Sequence, residues 1–144
     1  MTVTVRRAGG DAEIAAAIAL RAAVFVDEQG VPLEEDLDGR DGEALHLVAV
    51  VDDGTVVGTC RLVFEDPVVK LGRMAVAPDA RRQGIGMRLL ELADAEARAH
   101  DAEATVLAAQ LPARPLYERA GYVPRGDVFL DAGIEHVRMR KTHA

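Results

Sequence analysis

The segment with the clearest chemical potential is Arg81-Arg82-Gln83-Gly84-Ile85-Gly86, in which two glycines closely follow an arginine. It stands between a run typical of a β-strand and a run typical of a helix. Glycine lets the backbone approach a ligand closely, and the free N–H groups of a helix N-terminus bind phosphate oxygens. Arg81, Arg82 and Arg88 add local positive charge. The segment therefore predicts a site for a phosphorylated ligand.

Two common phosphate-binding motifs do not fit this segment. A Walker loop requires Gly-Lys-Ser/Thr, which does not follow here. A dinucleotide-binding fingerprint requires a third small residue, and Leu89 stands in that position. The pattern that remains, Arg/Gln-x-x-Gly-x-Gly/Ala, resembles the pyrophosphate-binding loop of acyl-CoA-dependent N-acyltransferases.

A second block of sequence extends this resemblance. It consists of Ala108-Ala109-Gln110, followed by Pro115-Leu116-Tyr117-Glu118-Arg119-Ala120-Gly121-Tyr122. With this order and spacing, the chain resembles the GNAT superfamily of N-acetyltransferases over nearly its whole length. Within the superfamily it is similar to the ElaA-like branch, on residues 24–29, 36–39 and 129–136 and on His46.

This resemblance implies a single GNAT domain over residues 1–144 with an α/β fold of the α+β kind. The implied fold has a mixed, mostly antiparallel sheet flanked by helices, with strands four and five parallel and splayed. Acetyl-CoA is the implied co-substrate, and no metal is expected. The backbone of Met74 to Val76 would pair with the pantetheine arm, and one of its amides would polarise the thioester carbonyl. The implied cofactor-binding residues are Met74, Ala75, Val76, Arg81, Arg82, Gln83, Gly84, Ile85, Gly86, Met87, Gln110 and Tyr117.

The resemblance also implies catalytic roles. Tyr117 occupies the position of the family's frequent general acid, which protonates the departing CoA thiolate. The alternative is a ring that only packs in the core.

An amine acceptor with a pKa near ~10.4 must lose a proton before it attacks the thioester. Several relatives use a Glu on strand five, but residues 105–108 contain no carboxylate. The candidate proton acceptors are therefore Glu28, Glu135, His136, His46 or a water, and we take Glu28 and His136 as catalytic candidates beside Tyr117. For these two the alternatives are an exposed helix-end carboxylate and a hydrogen-bonded structural histidine.

The elements that must position these residues follow from periodicity and turn residues. The sequence predicts strands at residues 3–5, 44–51, 56–64, 68–76 and 105–109, and two more near Val128 and Val137. It predicts helices over 11–25, with Asp11 as N-cap, and over 84–100. A further helix is expected with Pro112 in its first turn and Gly121 at its C′ position. This order predicts a mixed α/β domain with a three-strand meander before the main crossover.

Residues 27–43 form a separate acidic segment, with eight carboxylates and one basic residue, Arg40. Two interpretations stay open: a solvated loop containing a short helical turn, or a negative mouth that attracts a cationic amine. Arg61 and Arg73 have no assigned role, since they suit either an acceptor site or a structural ion pair. The single cysteine, Cys60, lies in a strand-like run and is expected to be buried and inert.

Composition limits the classes of partner. The 144-residue chain has a net charge of −7, which argues against nucleic acid or an anionic membrane as the main partner. It lacks a signal-peptide pattern and an apolar run of ~20 residues, so we expect a cytoplasmic protein. The oligomeric state, including a homodimer, is left open.

Two functions from different classes fit these residues. The first is an acetyl-CoA-dependent N-acetyltransferase that acts on a small-molecule or peptide amine. The second is a non-catalytic acyl-CoA-binding domain. A third class, nucleotide binding, lacks the expected lysine and the acidic ribose partner. Tyr117 and Gln110 together favour the enzyme.

Overall fold

The computed structural model describes residues 2–143, which form one seven-stranded sheet with helices on its faces. The strands are β1 (Thr4–Arg7), β2 (Leu45–Val50), β3 (Val56–Glu65), β4 (Val68–Val76), β5 (Ala104–Gln110), β6 (Val123–Asp131) and β7 (Ile134–Thr142). The helices are α1 (Asp11–Arg21), α2 (Leu33–Asp36), α3 (Ile85–Ala99) and α4 (Arg114–Arg119). A π-helical segment, Ala22–Glu28, continues α1, and short 3₁₀ turns cover Pro78–Ala80 and Leu111–Ala113.

The strand order across the sheet is β1-β2-β3-β4-β5-β7-β6. All neighbouring pairs are antiparallel except β4 and β5, which are parallel. A parallel pair needs a crossover, and α3 supplies it between these two strands. The predicted mixed fold, with its meander and its parallel strands four and five, is confirmed.

The sheet buries side chains on both of its faces. On one face α3 packs against the strands, and Leu47, Leu62 and Leu107 join Leu89 and Leu90 in the main core. On the other face α1 places Ala17 against a smaller apolar cluster, which is formed by Val48, Val50 and Val56. Successive side chains of a strand point to opposite faces, so β2 feeds both clusters.

The helix ends differ from the sequence predictions at several positions. Asp11 is the first residue of α1, and its predicted capping role is wrong: Gly10 is the N-cap, and no side chain caps it. The Glu13 carboxylate instead accepts a hydrogen bond from the Gly9 amide, at 2.6 Å. The predicted helix over 11–25 ends at Arg21 and continues as the π-helical segment to Glu28.

The helix after β5 begins later than predicted. Pro112 lies in the 3₁₀ turn Leu111–Ala113, and Pro115 stands in the first turn of α4. Both prolines satisfy the rule that proline suits a first turn, so the rule alone could not choose between them. Gly121 follows the C-cap residue Ala120 with a φ of 98°, as its predicted C′ position requires.

Within residues 2–143, no helix combines the length and the apolar character that crossing a bilayer demands.

Candidate functional site

Strands β4 and β5 separate halfway along their length. They pair only where Val68–Lys70 lies beside Ala104–Val106. Beyond Lys70, β4 keeps its partner β3 but with a shifted register, and Arg73 adopts a φ of 55° at this irregularity. A bulge of this kind bends a strand and increases its twist. The last residues of β4 therefore leave β5 and open a gap between the two parallel strands.

A cavity of about 640 Å³ occupies this gap and the face of the sheet below the π-helical segment. Eight of the residues predicted from the sequence line it: Glu28, Met74, Ala75, Val76, Arg81, Gln110, Tyr117 and His136. The other six predicted residues, 82–87, lie outside the cavity lining, in the loop after Arg81 and in the first turn of α3.

The N-terminus of α3 presents backbone amides without a side-chain cap. Gly84 is the N-cap residue, with a left-handed φ of 77°, and no side chain accepts a hydrogen bond from the first turn. The first amides of a helix have no partner within the helix, and they carry the positive end of its dipole. Buried Ile85 anchors this turn to the core. The turn can therefore bind an anion through its backbone.

Tyr117 reaches the cavity from α4. Its side chain is buried and makes an edge contact with Tyr122, whose ring centroid lies 6.0 Å away. Burial raises the pKa of Tyr117, so the phenol keeps its proton at neutral pH. Tyr122, in contrast, does not line the cavity.

His136 uses one ring nitrogen for structure. Its Nδ1 lies 2.7 Å from the carbonyl oxygen of Ile134. A carbonyl only accepts, so Nδ1 must carry the hydrogen, which leaves Nε2 with a free lone pair in the neutral ring. The ring also stacks on Phe129, with a centroid distance of 5.8 Å. His136 is thus held in a fixed orientation in the lining of the cavity.

Glu28 and Arg81 form a bidentate ion pair across the mouth of the cavity, with N–O distances of 2.8 and 2.7 Å. Arg81 Nε also donates to the carbonyl oxygen of Val76, at 3.0 Å. The hydrogen bonds from Arg81 lower the pKa of Glu28. This pairing makes Glu28 a weaker proton acceptor, and it fixes the end of β4 to the π-helical segment.

A second bridge fixes the end of β5. Gln110 Nε2 donates to Gln29 Oε1 at 2.8 Å. The two bridges come from Glu28, the last residue of the π-helical segment, and Gln29, its C-cap residue, and they hold the ends of the two separated strands. The sequence singled out Gln110 but not Gln29.

The acidic segment is mostly exposed and contains the predicted short helical turn, α2, but its carboxylates do not form an open negative mouth. Three of its carboxylates are engaged by arginines of α1, β3 and β4. The ion pairs join Arg21 to Asp36 and Asp41, Arg61 to Asp38 and Asp41, and Arg73 to Asp36 and Asp38. Arg21 and Asp36 are almost completely buried. The network attaches residues 36–41 to the sheet and forms one wall of the cavity.

The roles of these arginines were not predicted from the sequence, although their positions indicated that each needs a charged partner. Arg61 and Arg73 stand inside apolar strands, and Arg21 stands within an apolar helix. A charged residue at such a position is almost never fully buried unless it is paired, so each arginine called for a carboxylate partner.

Two other candidates lie outside the cavity. His46 Nε2 contacts the carbonyl oxygen of Asp41 at 2.9 Å, and the buried ring supports the acidic segment. Cys60 is buried, as predicted, and burial raises the pKa of its thiol to about 12. A thiol with this pKa stays protonated and inert at neutral pH.

Comparisons with known proteins identify the family of this chain. The family model described as "Acetyltransferase (GNAT) domain" matches residues 13–143. The chain is 38% identical over 123 residues to a Bacillus subtilis protein named uncharacterized N-acetyltransferase YjcF, covering 85% of this chain and 87% of that one.

Solved structures give the same result. An acyl-CoA N-acyltransferase from Pseudomonas aeruginosa is 33% identical, with a TM-score of 0.83 and coverage of 98% of this chain and 99% of that one. Escherichia coli ElaA is 25% identical, with a TM-score of 0.86 and coverage of 97% and 99%. The chain therefore belongs to the GNAT family and is an acyltransferase of that family.

Proposed function

We propose that this enzyme transfers an acetyl group from acetyl-CoA to a primary amine by direct attack within a ternary complex. One observation carries the proposal: β4 and β5 separate beyond Lys70, and the gap between them is lined by Tyr117 and His136. The gap brings unpaired strand backbone, a proton donor and a proton acceptor to the same cavity.

The residues present fit acetyl-CoA. Beyond Lys70, β4 lacks its β5 partner, so the backbone of Met74 to Val76 can pair with an extended amide chain such as pantetheine. The uncapped first turn of α3 supplies amides for phosphate oxygens, through residues 82–87. Gln110 would contact the pantetheine arm at the end of β5.

Acetyl-CoA supplies an activated acetyl thioester whose thiol is the leaving group. Within this chain, an amide of Met74 to Val76 polarises the thioester carbonyl as a fixed hydrogen-bond donor. His136 Nε2 accepts the proton that the amine must lose, directly or through a water. The Tyr117 hydroxyl donates a proton to the departing sulfur. Arg81 and Glu28 hold the cavity mouth in position, and we assign Glu28 this positioning role because Arg81 engages both of its oxygens.

The alternative is a domain that binds acyl-CoA without turnover. Such a domain needs neither a proton donor nor a proton acceptor beside the ligand. The lining of one cavity by both Tyr117 and His136 favours the enzyme.

The test compares the two tyrosines of the chain. A panel of amines is incubated with acetyl-CoA, and the release of free thiol is followed. We expect Tyr117→Phe to keep its CoA affinity within a few-fold and to lower kcat by ~10²–10⁴, the usual contribution of a positioned proton donor.

Tyr122→Phe is the matched control, because it removes the other buried hydroxyl, which is not part of the cavity lining, and should leave kcat unchanged. If CoA stabilises the wild-type protein but no amine in the panel releases thiol, the non-catalytic alternative is favoured. Wild-type turnover in Tyr117→Phe would remove the proton-donor role.

A further inference from the structure

One half of the sheet carries no helical layer on the face where α1 packs. Helix α1 covers β2, β3 and β4. On that same face, most side chains of β5, β7 and β6 are exposed or half-buried, and His136 is buried. The strand pairings show which residues share this face. One row across β5, β7 and β6 consists of Ala108, Arg138 and Arg125, and the next consists of Val106, Arg140 and Val123. Ala108, Arg125 and Arg138 are exposed, and Val123 is 60% exposed. We call these residues, together with Lys70 on β4, the uncovered face.

The uncovered face is basic although the chain is acidic. Four of its side chains are cations, Lys70, Arg125, Arg138 and Arg140, while the whole chain has a net charge of −7. Among residues 2–143, no carboxylate lies within 4.0 Å of the three arginines, and the nearest carboxylate oxygen to Lys70 Nζ, from Glu65, is 3.9 Å away. The 24 acidic residues thus leave these arginines unneutralised. Clustered charges of one sign attract a partner of the opposite sign.

The uncovered face is continuous with the cavity of the proposed active site. Lys70 lines that cavity, and His136 lies two residues before Arg138 on the same face of β7. A strand rises about 3.3 Å per residue, so Arg138 and Arg140 follow His136 at about 7 and 13 Å along β7. The Arg138 guanidinium stacks on the Phe129 ring at 4.3 Å, which holds it at the surface.

The cavity itself carries balanced charge, because its lining contains five carboxylates and five cationic side chains. Asp131 faces the same side as His136 and lines the cavity. The carboxylates of the acidic segment do not neutralise the uncovered face, because Asp36, Asp38 and Asp41 are engaged by Arg21, Arg61 and Arg73. The proposed reaction places an acceptor amine at the cavity, so a ligand that also meets the uncovered face carries its carboxylates further along.

We propose that the uncovered face binds an acidic polypeptide whose primary amine is the acetyl acceptor, an inference that rests on the proposed acetyltransferase function. An extended peptide has the rise of a strand, so acidic residues about two and four positions after the amine would reach Arg138 and Arg140. A nucleic acid fits less well, since its uniform charge would also meet the acidic remainder of the protein.

The experiment uses two synthetic peptides of about 12 residues with identical composition and a single primary amine, at the N-terminus. One carries its acidic residues from the third to the fifth position, and the other carries them at its C-terminal end. Fluorescence anisotropy of labelled peptides measures binding, and thiol release measures acetylation. We expect the first peptide to show about tenfold higher kcat/KM and tighter binding at low salt, and this preference to disappear at about 0.5 M NaCl.

Charge reversal tests the surface directly. Arg138→Glu should remove the preference for the first peptide. Arg119→Glu is the control. It makes the same charge change at an exposed residue of α4, which is not part of the uncovered face, and should retain the preference. Arg138→Gln separates loss of attraction from repulsion and should give an intermediate preference.

The outcomes separate this inference from the proposed function. Peptide binding that depends on Arg138 without any thiol release would support the surface and contradict acetyl transfer. Acetylation at equal rates for both peptides, or a preference unchanged in Arg138→Glu, would overturn the surface and retain the transferase. Displacement of the acidic peptide by a single-stranded oligonucleotide of equal charge at lower concentration would overturn the assignment to a polypeptide.

Discussion

His136 shows how one residue can combine positioning with chemistry. Its Nδ1 is committed to the Ile134 carbonyl, and its ring stacks on Phe129. The remaining nitrogen, Nε2, is the basic atom of a ring that lines the cavity. The Glu28 carboxylate, by comparison, has both oxygens paired with Arg81. At the scale of residues, hydrogen-bond partners distinguish His136, the proposed proton acceptor, from Glu28, whose oxygens are engaged by Arg81.

Replacing His136 by Asn tests that distinction. The Asn amide can donate to the Ile134 carbonyl in place of Nδ1 but lacks an atom equivalent to Nε2. We expect kcat to fall by ~10²–10⁴ while the thermal stabilisation by CoA stays within the wild-type range. His100→Asn, at the exposed C-cap of α3 and outside the cavity lining, is the control and should have wild-type kcat. Full activity in His136→Asn would assign proton removal to water.

At the scale of elements, the start of α3 depends on the backbone of Gly84. Its φ of 77° is one that side chains rarely adopt, and a Cβ added there would meet no atom within 4 Å. A β-branched substitution such as Gly84→Val is therefore strained even without ligand, although the space is open. Asparagine tolerates the left-handed conformation far better.

Gly84→Asn should separate ligand binding from folding. We expect the Tm of the free protein to change little, because Asn accepts this φ, while the rise in Tm caused by CoA is lost, because the side chain obstructs the amides of α3. Gly54→Asn is the matched control: it has a φ of 89° and open space, and lies in the β2–β3 turn. Retention of the CoA-induced shift in Gly84→Asn would remove this turn from the binding site.

The acidic segment is an element held by buried charge. Arg21 is 1% exposed and pairs with Asp36 and Asp41, so its removal leaves carboxylates buried without that partner. We expect Arg21→Met to lower the free energy of unfolding by about 3–5 kcal/mol, as measured by denaturant titration. Arg6→Met, which breaks the more exposed pair with Glu13, should have a much smaller effect. Equal effects of the two substitutions would contradict a structural role for the buried network.

At the scale of the whole molecule, the carboxyl groups with a resolved pKa shift all change in the same direction. The pKa is lowered for Glu13, Glu28, Asp38, Asp41, Asp53, Asp94 and Glu96. Burial opposes the lowering, and it is the largest single influence on Asp41 and Asp94, but hydrogen-bond donors and neighbouring cations outweigh it. The folded state therefore binds fewer protons than the unfolded chain in mild acid.

This difference predicts how stability depends on pH. Groups with a lowered pKa contribute stability above their unfolded pKa and lose it as pH falls toward the folded pKa. We expect the free energy of unfolding to fall between pH 7 and pH 3, most steeply below about 4.5, where unfolded carboxyls take up protons. Burial lowers the pKa of His143, which adds a decline below about 6.5.

Denaturant titration at a series of pH values measures the profile. The control is Glu13→Gln, which removes a carboxyl with a pKa of about 2 and should flatten the curve below about pH 4. Stability that stays constant from pH 7 to pH 3 would contradict the shared direction of the shifts.

Local patterns in the sequence determined most of the elements and the position of the proposed ligand-binding loop. Alternating and helical periodicities identified the seven strands and the main helices, because these patterns reflect which face each residue buries. The Arg81–Gly86 motif identified the first turn of α3, because backbone amides and a left-handed glycine are local properties. Eight of the fourteen predicted site residues also line one cavity. Helix ends were less certain, since Pro112 and Pro115 satisfy the same local rule.

Only the tertiary structure decided which charged and polar groups meet. Arg21 finds Asp36 over 15 residues, Arg81 finds Glu28 over 53, and Gln110 finds Gln29 over 81. Composition shows that acids and bases are present, but pairing depends on how distant elements pack. For that reason the sequence left the acidic segment open between a solvated loop and a negative mouth, whereas in the fold Asp36, Asp38 and Asp41 pair with arginines in one wall of the cavity. The basic uncovered face, likewise, exists only because three strands from the second half of the chain lie side by side without a helix above them.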